Sequence, residues 1–274
     1  SLSLDVREGE IVSVVGSSGS GKSLLAHAVL GILPGNARTA GGMFYFGQEL
    51  TPALQQKLRG KEIVLIPQSV DCLDPLMKVG KQVVGVHGGR RAQRAVFERY
   101  GLEPRVEKMF PFQLSGGMAR RILVATAVTT ESKLIVADEP TPGLSEDLAM
   151  ETLRHFRELA DGGAAVLLIT HDIDLSLNVA DRIAVFYAGA AVEIASAGDF
   201  GNGDVLLRHP YSKALIDALP QNAFRVIPGT QPYAGHLSSG CSFAARCAVR
   251  TAACDGEIAM RDLRGGKVRC VNAS

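Results

Sequence analysis

The sequence predicts an α/β fold in which a largely parallel sheet is covered by helices on both faces. Two observations carry this prediction. Short runs rich in Val, Ile and Leu alternate with helical stretches, and the runs are apolar at almost every position. Strands without polar alternation are buried on both faces, which is typical of parallel sheets. From residue 198 onward, Gly, Asn, Pro and Ser become frequent, which indicates a change of structure there.

Each element follows from hydrophobic periodicity and from the residues that interrupt it. Strands are expected at residues 11–15, 43–46, 62–67, 134–137, 164–170, 182–187 and 191–194. Helices are expected at residues 22–30, 116–128, 148–159 and 211–219, and in pieces between residues 76 and 100.

Composition excludes several classes of protein. The 274 residues are 46% hydrophobic and 21% charged, as in ordinary globular domains. The net charge of +1 gives no overall basic field for nucleic acid. Apolar runs such as residues 164–169 cover about a third of the ~18–20 residues that a membrane-spanning helix requires. The sequence begins at Ser1, without Met, inside a segment that predicts a strand and turn, so we expect an N-terminal truncation.

A glycine-rich loop between the first strand and the first helix fits the pattern G-x-x-x-x-G-K-[ST]. Its residues are Gly16, Ser17, Ser18, Gly19, Ser20, Gly21, Lys22 and Ser23. Backbone N–H groups in such a loop and the N-terminus of the following helix bind phosphate. We expect Lys22 to reach the β- and γ-phosphates and Ser23 to ligate Mg²⁺. A dinucleotide fingerprint fits worse, because its glycines are spaced as G-x-G-x-x-G.

Two carboxylates follow the apolar strand at residues 134–137. Asp138 and Glu139 would therefore emerge at the carboxyl end of a strand, where open α/β sheets bind ligands. We expect Asp138 to hold Mg²⁺ through water and Glu139 to polarise the water that attacks the γ-phosphate. Alone, such a pair would be interpreted as a solvated strand end, but the phosphate loop upstream favours the catalytic interpretation.

Three further motifs complete a family pattern. They are Ser115-Gly116-Gly117 within the run LSGGM, Gln68 within IPQ, and His171 within THD. Together with the two motifs above, in this order, they resemble the ATP-binding cassette (ABC) ATPases. The resemblance implies a P-loop cassette with a mixed sheet core over residues 1–195, a helical subdomain at about 70–130, and a small extension over residues 196–274.

The resemblance also implies roles for these residues. Two cassettes would enclose two ATP molecules head to tail, so that the phosphate loop of one subunit and Ser115, Gly116 and Gly117 of its neighbour contact the same nucleotide. His171 would hydrogen-bond the γ-phosphate. Gln68 would act at the catalytic site as a ligand of Mg²⁺ and relay the nucleotide state to a membrane partner.

Additional segments resemble the oligopeptide, dipeptide and nickel group of bacterial importers. These are residues 35–42, 73–75, 79–82, 187–189, 192–193 and 209–215. The resemblance implies a paralogous ABC subunit as heterodimer partner, two membrane permeases and an extracytoplasmic solute-binding protein. It places the chain peripherally at the cytoplasmic face of the membrane, powering the uptake of peptides, nickel or a metal chelate.

Two positions depart from the family pattern. Ser145 stands where the loop after the catalytic Glu usually has Asp, and Arg120 stands where Gln is usual after the signature. The first departure puts the coupling between the two ATP sites in doubt. It leaves open a degenerate cassette that only supports a catalytic partner; another alternative is an ABC ATPase that acts on ribosomes or DNA.

Four of the five cysteines lie in the last 34 residues, at Cys241, Cys247, Cys254 and Cys270. Thiolates suit zinc or an iron–sulfur cluster, and the spacing differs from the C-x₂-C pairs of common zinc ribbons. Chemistry alone therefore leaves a cluster, zinc and unliganded thiols open. The resemblance to the peptide importer group implies a [4Fe–4S] cluster, and Cys72 is expected to remain an unpaired thiol.

Overall fold

The computed structural model describes residues 2–85, 89–129, 132–201, 206–232 and 240–274. The chain packs as two compact units. The first comprises residues 1–6, 11–22 and 170–274, and the second comprises residues 7–10 and 23–169. These bounds differ from the expected division near residue 195, which stays a prediction.

The first unit contains a mixed sheet. Its strands are β1 (Ile11–Gly16), β7 (Arg182–Tyr187), β8 (Ala190–Ser196), β9 (Arg261–Leu263) and β10 (Gly266–Val268). The order within this unit is β1-β7-β8-β10-β9. β1 and β7 are parallel, and the other pairs are antiparallel. Its helices are α7 (Ile173–Leu177), α8 (Ala197–Gly201) and α9 (Pro210–Asp217).

The second unit is built on parallel strands covered by helices. β4 (Ile63–Ile66) pairs with β5 (Leu134–Asp138), which pairs with β6 (Ala165–Thr170). A small hairpin consists of β2 (Phe44–Tyr45) and β3 (Gln48–Glu49). The helices are α1 (Lys22–Leu30, whose first residue belongs to the first unit), α2 (Pro52–Leu58), α3 (Val79–Val84), α4 (Arg90–Arg99), α5 (Gly116–Val128) and α6 (Glu146–Asp161).

Most of the expected elements are confirmed, with corrected ends. Residues 43–46 form only a two-residue strand, because Phe46 and Gly47 turn the chain with positive φ angles of 48° and 78°. Residues 172–180, for which the sequence predicts no element, contain the five-residue helix α7, for which Asp172 is the N-cap. The pieces expected between 76 and 100 are α3 and α4, and residues 86–88 of that segment lie outside the described residues.

A buried ion pair joins distant segments of the first unit. Glu193 on β8 is fully buried, and its carboxylate accepts hydrogen bonds from the main-chain N–H groups of Arg208 and His209, both at 2.8 Å. The Arg208 guanidinium lies 3.3 Å from the same carboxylate and donates to the Leu263 carbonyl at 2.6 Å. One buried arginine therefore ties β8 to the β9–β10 hairpin at the C-terminal end of the chain.

No helix in the described ranges is long and apolar enough to cross a membrane.

Buried His209 predicts a loss of stability in acid. Burial lowers the pKa of His209 to about 3, so below about pH 6.5 the unfolded chain binds a proton that the folded chain does not. Stability should therefore fall as the pH drops from about 6.5 towards 3, by about 2 kcal/mol at pH 5. His209→Asn keeps a side-chain acceptor for the N–H of Tyr211 without titrating, and urea denaturation at pH 7 and pH 5 should show a smaller loss in this variant.

His155, whose pKa burial lowers to about 4, acts in the same direction, so the difference between the wild type and His209→Asn isolates His209. His27→Asn, on α1, is the matched control and should retain the wild-type loss. Equal losses in the wild type and His209→Asn would contradict the assignment.

Candidate functional site

The loop after β1 requires glycine at two positions. Gly16 approaches β7 so closely that a Cβ there would lie 2.3 Å from the Phe186 carbonyl oxygen. Gly21 adopts a φ of 93°, which favours glycine. Lys22 is buried and donates to the carbonyl oxygens of Gly16 at 2.7 Å and Ser17 at 3.1 Å. The ammonium group is thus held over the loop that α1 follows.

Ser20 carries a buried hydroxyl group. Its side chain is 1% exposed, and its Oγ has no hydrogen-bond partner among the described residues. Its carbonyl oxygen accepts a hydrogen bond from Gly189 N–H at 3.0 Å, which fixes the loop against the turn after β7. Buried hydroxyls normally find a partner. A phosphate oxygen in the loop would supply one, so the residues present fit the triphosphate that the motif predicts.

Ser17 of the same loop contacts the C-terminal part of the chain, which sequence reasoning missed. Its hydroxyl hydrogen-bonds to the side chain of Gln231. Burial raises the pKa of the Tyr211 hydroxyl, and hydrogen bonding with Ser17 lowers it. Tyr211 also packs on Phe243, with 5.3 Å between ring centroids. No motif marks Gln231; Tyr211 lies in the segment at residues 209–215 that carried the family resemblance.

The second unit brings Ser23 and Asp138 together. Ser23 Oγ, in the first turn of α1, donates to Asp138 Oδ1 at 3.2 Å. Asp138 is the last residue of β5 and is 3% exposed. A hydroxyl and a carboxylate are oxygen ligands of the kind that Mg²⁺ prefers. The two side chains therefore fit the Mg²⁺ ion that would accompany a bound nucleoside triphosphate.

Glu139 adopts an unusual backbone conformation. Its φ is 48°, in the left-handed region that non-glycine residues rarely adopt. Its N–H donates to the Ile169 carbonyl at 2.8 Å, and its side chain is buried, with 7% exposure. Such conformations cost about 1–3 kcal/mol and persist only where surrounding contacts impose them. The unfavourable φ angle identifies the turn that orients the Glu139 carboxylate.

Arg120 imposes one of those contacts. Its guanidinium donates to the carbonyl oxygens of Gln68 at 2.6 Å, Pro67 at 3.2 Å and Glu139 at 3.4 Å. The side chain is buried, which lowers the pKa of its guanidinium, while the negative charge of Glu139 raises it. The sequence showed Arg120 only as a departure from the family pattern. Its three partners are main-chain groups, which no side-chain pattern reveals.

The signature segment starts a helix at the surface. Ser115 is the N-cap of α5, and its Oγ accepts a hydrogen bond from Met118 N–H at 3.3 Å. Ser115 and Gly116 are exposed, and Gly117 is half-buried. Gln68, just after β4, is also exposed. These residues can therefore meet a group from outside the chain.

His171 belongs to the first unit and follows β6 directly. Its side chain is exposed. The next residue, Asp172, donates its N–H to Thr170 Oγ1 at 3.0 Å and caps α7 through Leu175 N–H. His171 is thus presented on a short turn that is fixed on both sides.

The four C-terminal cysteines are free thiols, of which Cys254 and Cys270 are buried. Burial raises the pKa of Cys270, and charge on the other three thiols raises it further. Burial and the thiols of Cys254 and Cys247 similarly raise the pKa of Cys241. The Cys241 N–H also donates to the Cys254 carbonyl at 2.8 Å. Within the described part of the chain, no three His, Cys, Asp or Glu side chains are arranged to hold a metal ion.

Comparison with known families gives two matches. Residues 1–142 match the family described as ABC transporter. Residues 192–254 match the C-terminal region of oligopeptide/dipeptide transporters, a range that includes three of the four clustered cysteines.

Similar curated proteins cover almost the whole chain. The probable D,D-dipeptide transport ATP-binding protein DdpD of Escherichia coli is 34% identical over 98% of this chain and 88% of its own length. The oligopeptide transport ATP-binding protein OppD of Haemophilus influenzae is 32% identical over the same shares. The dipeptide transport ATP-binding protein DppD of Bacillus subtilis is 33% identical over 93% of this chain and 82% of its own.

Solved structures confirm the fold. The ATP-binding subunit of an ABC transporter superposes with a TM-score of 0.62 at 22% identity, covering 73% of this chain and 83% of that structure. A dimeric ATP-binding cassette in a post-hydrolysis state, bound to ADP and phosphate, superposes with a TM-score of 0.63 at 25% identity, covering 71% and 88%. The chain therefore belongs to the ABC transporter ATPases, in the group of oligopeptide and dipeptide transport ATP-binding proteins.

Proposed function

We propose that this chain hydrolyses ATP to drive the import of di- or oligopeptides through separate permease subunits. The observation that carries the proposal is the hydrogen bond between Ser23 and Asp138, with the phosphate loop ending at Ser23 and the strained Glu139 beginning after Asp138. The Ser23 hydroxyl ends the first nucleotide motif, and the Asp138 carboxylate and the Glu139 general base form the second. The hydrogen bond therefore joins the two motifs. The printed names of the relatives support the transport role.

ATP binding is assigned to the loop from Gly16 to Ser23. Its N–H groups, the Ser20 hydroxyl and the Lys22 ammonium donate to the phosphate oxygens. Ser23, Gln68 and, through water, Asp138 would hold Mg²⁺, which would neutralise negative charge on the phosphates. The remaining loop residues, Ser17, Ser18, Gly19 and Gly21, shape the backbone around the anion.

Hydrolysis is assigned to Glu139 as general base. Its carboxylate accepts a proton from the water whose oxygen bonds to the γ-phosphorus, as the bond from that phosphorus to the bridging oxygen of ADP breaks. The products are ADP and inorganic phosphate. His171 donates a hydrogen bond to the γ-phosphate and stabilises the charge that develops on it.

Glu139→Gln should abolish ATP hydrolysis while leaving MgATP binding close to the wild-type affinity. The amide cannot accept the proton, and loss of a general base typically lowers the rate by about 10²–10⁴-fold. Phosphate release by the assembled transporter and nucleotide titration of the same sample measure the two properties. Glu146→Gln, at an exposed position in the first turn of α6, is the control and should hydrolyse ATP normally.

Turnover by Glu139→Gln at the wild-type rate would remove Glu139 from this role. A wild-type chain that binds MgATP but never hydrolyses it would instead support the degenerate cassette that Ser145 leaves open. The relatives do not favour an ATPase that acts on ribosomes or DNA.

The exposed signature segment indicates that a second cassette is a partner of this chain. Ser115 and Gly116 lie at the surface at the start of α5, where their donors can meet a nucleotide held by another cassette. The similar dimeric cassette supports the pairing of two cassettes. We assign the second cassette to a paralogous ABC subunit because the sequence resemblance implies one. Two permeases and an extracytoplasmic solute-binding protein complete the importer, with this chain peripheral at the cytoplasmic face of the membrane.

Peptide is the proposed cargo, because the similar proteins are named for oligopeptide and dipeptide transport. Nickel or a metal chelate is the other cargo that the sequence resemblance implied. Uptake of a labelled dipeptide and of nickel by the assembled transporter distinguishes the two.

A [4Fe–4S] cluster is proposed for Cys241, Cys247, Cys254 and Cys270. Four thiolates are the donor set of such clusters, and the sequence resemblance to the peptide importer group supports their assignment here. Cys241 and Cys247 also pack against the apolar core of the first unit that contains Tyr211 and Phe243. When bound, the cluster would cross-link the C-terminal segment.

Anaerobically purified protein should contain about four iron and four sulfide per chain. Cys247→Ser should lose most of this iron because it removes a ligand. Cys72→Ser is the matched control, since Cys72 is an exposed thiol outside the group, and it should retain the wild-type iron content. One zinc per chain instead of iron and sulfide would overturn the cluster assignment.

A further inference from the structure

Arg120 lies where three functional elements meet within the second unit. It belongs to α5, one turn after the signature residue Ser115 that caps this helix. Its guanidinium reaches the segment that carries Gln68 on one side and the turn that carries Glu139 on the other. A single planar group therefore fixes the main chain of two of the proposed functional residues.

The chemistry of arginine suits this bridge. A guanidinium has five N–H donors in a rigid plane, so it can bind several carbonyl oxygens in fixed directions. Arg120 uses Nη1 for Pro67 and Glu139, at 3.2 and 3.4 Å, and Nη2 for Gln68 at 2.6 Å. A lysine ammonium is a point charge without this planar spread, and a methionine has no donor.

The Glu139 peptide depends on such a restraint. Its left-handed φ of 48° is unfavourable for a glutamate. Its N–H is held by the Ile169 carbonyl and its carbonyl oxygen by Arg120. Without Arg120, one of these two main-chain anchors is lost, and the residue can relax towards an ordinary conformation that redirects the carboxylate.

We propose that Arg120 is a positioning residue for ATP hydrolysis, which holds the Glu139 turn and the Gln68 segment in register with the signature helix. This inference rests on the proposed function. The Arg120 guanidinium binds the carbonyl oxygens of Pro67, Gln68 and Glu139, so it acts on the orientation of the general base and of Gln68 rather than on nucleotide affinity.

The test separates kcat from ATP affinity in the assembled transporter. Arg120→Met should lower kcat by about 10²-fold, the loss that a misplacement of about 1 Å can cause, with the Kd for MgATP changed less than about threefold. Arg120→Lys keeps the charge and some donors, so its kcat should lie between those of the wild type and Arg120→Met. Arg59→Met removes another guanidinium that binds main-chain carbonyls, those of Leu30 and Gly31, and should keep the wild-type kcat.

Wild-type kcat in either Arg120 variant would overturn the inference. A parallel loss of MgATP binding and of thermal stability in Arg120→Lys would show that the residue only supports folding, which also overturns it. Arg120→Lys decides the question if Arg120→Met does not fold. A wild-type transporter without ATPase activity would overturn the proposed function and this inference together, whereas an active wild type with unaffected Arg120 variants would overturn this inference alone.

Discussion

The functional part of this molecule depends on one constraint, which is that polar functional side chains can follow a buried parallel strand only where the strand ends. β4, β5 and β6 are apolar along their length, and polar side chains become possible only where each strand stops. Gln68 follows β4, and His171 follows β6. Asp138 is the last residue of β5, and Glu139 comes directly after it. β1 likewise leads into the phosphate loop. The signature is the exception, because Ser115 begins a helix and lies at the surface.

This constraint explains what the sequence could predict. Apolar runs identify strands, and a motif that directly follows such a run must lie at its carboxyl end, so the phosphate loop and the Asp138–Glu139 pair could be placed without coordinates. Contacts made through main-chain atoms could not. The carbonyl groups that Arg120 binds, and the left-handed φ of Glu139, leave no trace in residue types. Short strands such as β3, β9 and β10 were also not predicted, because two or three residues carry no periodicity.

The C-terminal segment is integrated with the first unit by polar and aromatic contacts. Arg208 and Glu193 join β8 to the β9–β10 hairpin, and Phe243 packs on Tyr187 and Tyr211 with centroid separations of 5.3 Å. Gln231 in turn hydrogen-bonds to Ser17 of the phosphate loop. The segment that carries the clustered cysteines is thus physically continuous with the nucleotide loop. The charged and aromatic residues that the C-terminal segment contacts are distant in sequence, so hydrophobic periodicity predicted little of its structure.

The central claim is that this chain binds MgATP on its own phosphate loop and hydrolyses it with its own Glu139. A structure of the assembled transporter carrying Glu139→Gln, determined with MgATP, tests it most directly. The account predicts a triphosphate against residues 16–23, with Mg²⁺ beside Ser23 and Asp138 and the side chain at position 139 facing the γ-phosphate. A triphosphate bound elsewhere on this chain, or a loop without nucleotide while the partner cassette is loaded, would contradict it.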